Sequence, residues 1–281
     1  MGSVNGGQKM IPFDFEYYKA DTVDQAYQIM KTSLEENKRA VYYAGGTELV
    51  TNFRKGKDHA DIVIDIKGVS DMMTIQEKDK QIIIGAGVCL NQIIETLGDS
   101  SLSHVLEQIA DHTTRNALSI GGNLAGRLPY KEAVLPLLAV DAKAVIQGEE
   151  GRVEKPLKEV FNKTLRLKSG ELLIQLKINK SDVSYYSKRE TEGTKVDYPI
   201  LHMFSTWSET EVFVGVSGFS SLPEYQVFDI STLETNNVEN NLIFKAFKDK
   251  ARACHRASVI YRQHLLKCAI EDLLLEWKGR M

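Results

Sequence analysis

Apolar residues recur at helical spacing after Thr22: Val23, Ala26, Tyr27, Met30 and Leu34 share one side of a helix running to about Asn37. Thr22-Val23-Asp24-Gln25 opens it as a capping box, with a hydroxyl for an orphan N–H and a glutamine three residues on to reach back. The pattern then shortens. Ala40-Val41-Tyr42-Tyr43-Ala44 reads as a buried strand, Gly45-Gly46-Thr47 as a turn, Glu48 to Phe53 as a short helix and Asp61 to Ile66 as a second strand. This order predicts a small parallel βαβ unit with a right-handed connection.

Beyond it, Gln81 to Gly85 is strand-like, and Leu90 to Leu97 and Leu102 to Ala110 are helical. Ala142 to Ile146 and Leu172 to Ile178 read as strands, with Gly148-Glu149-Glu150-Gly151 as a turn between elements. Polar Asn179-Lys180-Ser181-Asp182 marks a boundary, giving domains 10–180 and 181–281. In the second domain two strand runs, Tyr198 to Trp207 and Glu211 to Phe219, flank the hairpin signal Ser208-Glu209-Thr210. Helices follow over Asn240 to Arg252 and Arg256 to Trp277, and in the last one Ala257, Ile260, Tyr261, His264, Leu265 and Cys268 form the expected apolar stripe. The fold class is α+β: a parallel βαβ subdomain, a mixed-sheet subdomain, and a C-terminal domain with an antiparallel sheet and helices.

Composition narrows the function classes. With 43% hydrophobic and 26% charged residues the chain has a globular profile, and a net charge of −3 leaves no footprint for nucleic acid or an anionic membrane. No apolar run is long enough for membrane insertion, and no charged-then-apolar leader opens the chain. The start, Met1 to Gly7, reads as a flexible arm or a remnant of expression. Cys89, Cys254 and Cys268 are too scattered for a disulfide framework, which points to the cytoplasm, and too few for an iron–sulfur cluster. Any cluster belongs to another chain.

A Gly-Gly-Thr between a buried strand and a helix start is an anion cradle: glycines bring the backbone close, and free N–H groups and a hydroxyl face the ligand. Ser119-Ile120-Gly121-Gly122-Asn123, preceded by Arg115-Asn116, repeats the device. Two adjacent glycines are ordinarily just a tight turn, so the pair of motifs carries more than either alone.

Ala44-Gly45-Gly46-Thr47-Glu48-Leu49 and Arg115-Asn116 with Ser119 to Ala125 resemble the two flavin-binding signatures of the medium, FAD-carrying subunit of molybdenum hydroxylases, the family of xanthine dehydrogenase and carbon monoxide dehydrogenase. Gly85-Ala86-Gly87-Val88, Leu135 to Ala142 and the helix from Arg256 through Tyr261-Arg262 resemble further segments of that family, so the likeness covers nearly the whole chain past Met10. The resemblance implies a PCMH-type FAD-binding domain, with a C-terminal flavoprotein domain behind it. It implies an oxidoreductase subunit that takes electrons from clusters on an iron–sulfur small subunit, beside a molybdopterin large subunit, and passes them through FAD to NAD or another acceptor.

By the same resemblance, Tyr42, Tyr43, Ala44, Gly45, Gly46, Thr47, Glu48 and Leu49 wrap the diphosphate and flank the ring. Ser119, Gly122 and Asn123 form a second clamp, Ile109 contacts the cofactor from its helix, and Leu173 lines the flavin. Lys188, with Arg189 and Asp197 beyond it, matches the segment where the family places a lysine near the flavin, so Lys188 is expected to stabilise the reduced ring. One stretch departs: where the family has Ser-Pro, two residues and Asp, this chain has Leu128-Pro129-Tyr130-Lys131-Glu132, leaving Glu132 to accept from a ribose or flavin group. No residue of the chain itself is expected to be catalytic or to bind a metal.

Competing motifs are weaker. Gly85-Ala86-Gly87-Val88-Cys89-Leu90 lacks the last glycine of a dinucleotide fingerprint. Cys254, His255, His264 and Cys268 match no zinc spacing and read as ordinary helix residues. Gly215 to Phe219 ends in Phe, unlike a nucleophile elbow. Two other functions compete: a self-sufficient FAD oxidoreductase of the same flavin-binding fold, such as the cell-wall enolpyruvyl-sugar reductases, and a non-catalytic nucleotide-binding module.

Overall fold

The computed structural model describes residues 10–180, 183–194, 196–235 and 237–280. The glycine-rich start, residues 1–7, and the Ser181-Asp182 end of the expected boundary lie outside the described residues.

The first lobe contains β1 (Glu16–Lys19), α1 (Val23–Glu35), β2 (Ala40–Tyr43), α2 (Leu49–Arg54) and β3 (Ile62–Asp65). Its parallel sheet has the order β1-β3-β2, so β3 is central and buried along its length. The expected capping box is half right. Thr22 Oγ1 accepts from Gln25 N at 3.1 Å, but the Gln25 side chain reaches back to Asp21 N, at 2.8 Å, one residue early. β1 was not expected, because its four residues are all exposed and carry no alternation; the parallel ladder to β3 holds it.

The second lobe runs through α3 (Ser70–Met73), β4 (Ile75–Lys78), β5 (Gln81–Gly85), α4 (Leu90–Leu97), α5 (Ser101–Glu107), α6 (His112–Arg115), α7 (Ile120–Ala125) and α8 (Val134–Ala139). It closes with β6 (Lys143–Gly148), β7 (Gly151–Pro156), α9 (Leu157–Val160), the short β8 (Phe161–Asn162) and β9 (Thr164–Leu165), and β10 (Leu172–Asn179). The sheet, ordered β4-β5-β10-β6-β7, is antiparallel in every pair, where a mixed sheet was expected. β10 sits in the middle, paired on both edges, and buries Leu172, Leu173, Ile174, Leu176 and Ile178.

The third lobe is an antiparallel sheet of β11 (Tyr185–Glu190), β12 (Leu201–Trp207), β13 (Glu211–Ser217) and β14 (Glu224–Asp229), followed by α10 (Leu242–Phe247) and α11 (Val259–Gly279). Successive residues of β12 and β13 serve two cores. Met203, Val212 and Val214 join α10 and α11, while Phe204 and Phe213 join the core of the first two lobes.

The stripe expected on the last helix is corrected. Ile260 and Tyr261 are 78% and 48% exposed, and the buried face is Leu266, Ala269, Ile270, Leu273, Leu274 and Trp277. Arg262 lies on that buried face because its guanidinium donates to the carbonyls of Ile200 and Gly218, satisfying what the loop and strand end leave open.

Candidate cofactor cleft

Where the lobes meet lies a cleft of about 850 Å³, a size suited to a large cofactor. Its walls include Tyr42, Tyr43, Ala44, Gly45, Gly46, Thr47, Glu48, Leu49, Ile109, Ser119, Gly122, Asn123, Glu132 and Leu173. One residue of the expected set, Lys188, does not line it.

The two glycine motifs prove unlike. In the first, Gly46 takes φ +70°, a conformation that glycine adopts freely. Among the described residues no acceptor faces the backbone N–H groups of Gly45, Gly46, Thr47, Glu48 or Leu49, which leaves them for a ligand. The second motif was expected to be a turn of the same kind and is instead the opening of α7, capped by Ser119. Its amides are already used: Ile120 N donates to Val88 O, Gly121 N to Ala86 O, Gly122 N to Ser119 Oγ and Asn123 N to Ser119 O. What α7 offers the cleft is side chains, and Asn123 Oδ1 is buried there without a partner among the described residues.

The glycines of α7 serve packing. A Cβ on Gly121 would come within 2.7 Å of Ala86 O, and one on Gly45 would fall 1.6 Å from Ala117 O, so the two motifs touch backbone to backbone. Glu48 locks the contact from the side, accepting from Arg127 N at 2.9 and 3.1 Å. Arg115 fixes the adjoining wall, donating to the carbonyls of Glu107, Ile109 and Ala110 and to Asn91 Oδ1. It thereby ends α5 at the point where Ile109 faces the cleft.

The divergent stretch Leu128 to Glu132 joins the second and third lobes. Glu132 is buried, and both its oxygens are taken: Arg189 donates from Nε at 2.7 Å and from Nη2 at 3.2 Å, and His202 Nδ1 lies at 2.7 Å. Burial pushes the Glu132 carboxyl up, but the hydrogen bonds and charge of His202 and Arg189 outweigh it and hold the pKa below its ordinary value. Ser187 Oγ stands 3.1 Å from the far nitrogen of His202. Through these bonds Glu132 ties Arg189 and His202 into the cleft wall. Beside it the Lys131 side chain is buried and donates to the carbonyls of Leu124, at 2.8 Å, and Gly126.

Lys188 stands apart from the other expected residues. Its ammonium lies 3.4 Å from Asp272 on α11 and 3.5 Å from Glu190. Strand parity is the reason: on β11 adjacent side chains face opposite sides, and Arg189 takes the cleft side. At the rim Tyr130 stacks on Tyr198 with centroids 4.4 Å apart, and Arg256 donates to Tyr130 OH at 2.8 Å and Tyr198 O at 2.9 Å. Sequence reasoning assigned Lys131, Tyr130, Tyr198 and Arg256 no role; the proline-linked break from the family pattern at Tyr130-Lys131 was the available signal. Among the described residues no cluster of His, Cys, Asp or Glu could hold a metal, and no helix is long and apolar enough to cross a membrane.

Residues 13–180 match the family model of the FAD binding domain in molybdopterin dehydrogenase. The nicotinate dehydrogenase FAD-subunit of Eubacterium barkeri is 24% identical over 292 residues, covering 94% of this chain and 96% of that protein. Indole-3-acetaldehyde oxidase of Zea mays is 30% identical over 153 residues, 51% of this chain; the match spans only 11% of that longer protein. The structure of carbon monoxide dehydrogenase from Hydrogenophaga pseudoflava that lacks the Mo-pyranopterin moiety superposes with a TM-score of 0.79 at 18% identity. That superposition covers 96% of this chain and 99% of its counterpart, and it shows a shared fold.

Proposed function

The chain belongs to the family of FAD binding domains in molybdopterin dehydrogenase, and from that premise we propose that it is the flavin subunit of a xanthine-dehydrogenase-like molybdenum hydroxylase. Its cofactor is FAD. In this reading, clusters on an iron–sulfur small subunit supply electrons, a molybdopterin large subunit carries the substrate chemistry, and NAD or another acceptor receives the electrons, all in the cytoplasm. The three cysteines, none of them in a disulfide, accord with that compartment and with clusters housed elsewhere.

The observation that carries the reading is the unanswered polar surface of the cleft. The amides of Gly45 to Leu49 and the orphaned Asn123 Oδ1 ask for a ligand with both acceptor and donor groups, as a dinucleotide has. We assign the Gly45–Leu49 amides to the diphosphate, and Ser119 and Asn123 to polar groups beside it. Ile109 and Leu173 give apolar walls for a ring, while Arg189, held by Glu132, supplies fixed positive charge. FAD supplies one- and two-electron chemistry. The chain's residues bind it, orient it and keep water from its buried faces. Residues 10–180 form the FAD-binding domain and 181–281 the C-terminal flavoprotein domain; support comes from the match ending at residue 180 and from the second core of β12, β13 and α11.

Purification of the full chain from its own cells tests this. A yellow protein releasing FAD on denaturation, accompanied by a cluster-bearing chain and a molybdopterin-bearing chain, is the expected result. A colourless protein that binds no added FAD overturns it. A yellow protein that turns over a reduced substrate unaided places it instead with the self-sufficient FAD oxidoreductases.

A further inference from the structure

Lys131 lines the cleft, and among the described residues its ammonium forms no ion pair. The residue is 2% exposed, it lines the cleft, and its partners are the carbonyls of Leu124 and Gly126 at the end of α7. Among the described residues no carboxylate pairs with it. Carbonyl dipoles offset only part of an ammonium's charge, and a buried charge without an opposite partner is costly. Burial accordingly pushes its pKa down to about 8, against the opposing pull of Glu48. Its backbone adds a second cost, with φ +29° at a residue that is not glycine. The ionisable groups around this part of the cleft are Glu48 and Arg127 near the first motif, Glu132 with its partners Arg189 and His202, and Asp197. Two carboxylates of the cleft are already engaged, Glu132 by Arg189 and His202, and Glu48 by Arg127 N.

We propose that Lys131 is the cation that an anionic group of bound FAD neutralises, so that FAD binds the protonated lysine in preference to the neutral one. This rests on the FAD reading above. Two parts of FAD could provide the anion: the diphosphate, charged at all times, and the ring after reduction. In either case, binding that favours the charged lysine raises its pKa in the complex. Below the free lysine's pKa, binding needs no proton. Above it the lysine must take one up, so affinity falls as pH rises through that range.

The test uses the full chain stripped of FAD, as wild type, Lys131→Met and Lys131→Arg. FAD, oxidised and separately reduced, is titrated calorimetrically, below and above the lysine's pKa, in buffers of different ionisation heat. At the higher pH alone wild type is expected to take up a proton, with both forms if the anion is the diphosphate and with the reduced form only if it is the ring. Lys131→Met is expected to lose that uptake, and Lys131→Arg to lose it while keeping its hold on the anion. If the anion is the diphosphate, Lys131→Met weakens FAD and ADP alike by about tenfold or more, and the midpoint potential stays. If it is the reduced ring, ADP and oxidised FAD bind as before and the midpoint potential falls. Unchanged FAD affinity and unchanged potential in Lys131→Met overturn the proposal. Should that variant fail to fold, the absence of proton uptake by wild type with either oxidised or reduced FAD above the lysine's pKa overturns it equally. Wild type that binds no FAD at all defeats the cofactor reading instead.

Discussion

Gly45 and Ala117 belong to motifs far apart in the chain, and a Cβ on the glycine would sit 1.6 Å from the carbonyl oxygen of Ala117. The contact sets the distance between the two walls of the cleft. No rotamer relieves it, since Cβ has no torsional freedom and its partner is backbone.

Gly45→Ala is therefore expected to part the walls. The variant keeps its secondary structure by circular dichroism, because neither Gly45 nor Ala117 belongs to a helix or strand, but emerges with little FAD, at an affinity lowered by about a hundredfold. FAD content per chain, measured after denaturation, checks this. A fully loaded variant would show that the walls yield.

Removing one partner from the buried Glu132–Arg189–His202 group leaves charge uncompensated. Glu132→Gln is expected to cost about 3–5 kcal/mol in urea unfolding. The pH dependence has a definite sign. The folded carboxyl titrates below its ordinary value of 4.5, so its stabilisation is complete above that value and is lost as pH falls through the lower, folded one. Wild type should lose stability across this acid range more steeply than Glu132→Gln. Parallel acid slopes in the two proteins count against the arrangement.

Arg115 holds three carbonyls at the end of α5, so Arg115→Ala leaves several acceptors unanswered. We expect a loss of about 2–3 kcal/mol together with weaker FAD binding, because Ile109 is released from the cleft wall. Lower thermal stability at unchanged FAD affinity would separate Arg115 from the cleft.

Lys188 and Arg189 give a paired comparison across one strand. Lys188→Ala removes half-exposed ion pairs with Asp272 and Glu190, and stability should shift by less than about 1 kcal/mol with the midpoint potential unmoved. Arg189→Ala should instead lower FAD affinity. Potentiometry on the two variants decides which face of β11 meets the cofactor.

The orientation of α11 is open to a similar comparison. Leu266→Ala should cost about 2–5 kcal/mol, whereas Ile260→Ser, on the exposed side, should stay within about 0.5 kcal/mol of wild type. Equal losses would mean that both faces are buried.

Much of the architecture could be read from period and punctuation. α1, β2, β3, β5, β10 and the β12–β13 hairpin announce themselves by apolar spacing or turn residues, and the cleft walls emerged from two glycine motifs. Other elements left no local trace. β1 and β4 are edge strands of largely exposed residues, held by their neighbours' ladders and not by a buried face. Gly121-Gly122 looks like a turn because glycine disfavours helices, yet close packing on Ala86 selects the helix there. In α11 apolar residues lie on both sides, and the choice of face follows from where Arg262 finds carbonyls beside the ends of β12 and β13. Which of Lys188 and Arg189 faces the cleft is a one-residue matter of strand parity, which sequence alone leaves undetermined when both neighbours are cationic.

The stacking of Tyr198 on Tyr130 at the rim of the cleft bears on biosynthesis. A growing chain presents Gly45 to Leu49 early, the wall from Ala117 to Glu132 only later, and Arg189 and Tyr198 later still. Until Tyr198 has left the ribosome, any FAD resting on the first motif faces open water along one side. The cleft is therefore complete only once the third lobe has been made, and stable loading with FAD is expected to follow synthesis of that lobe.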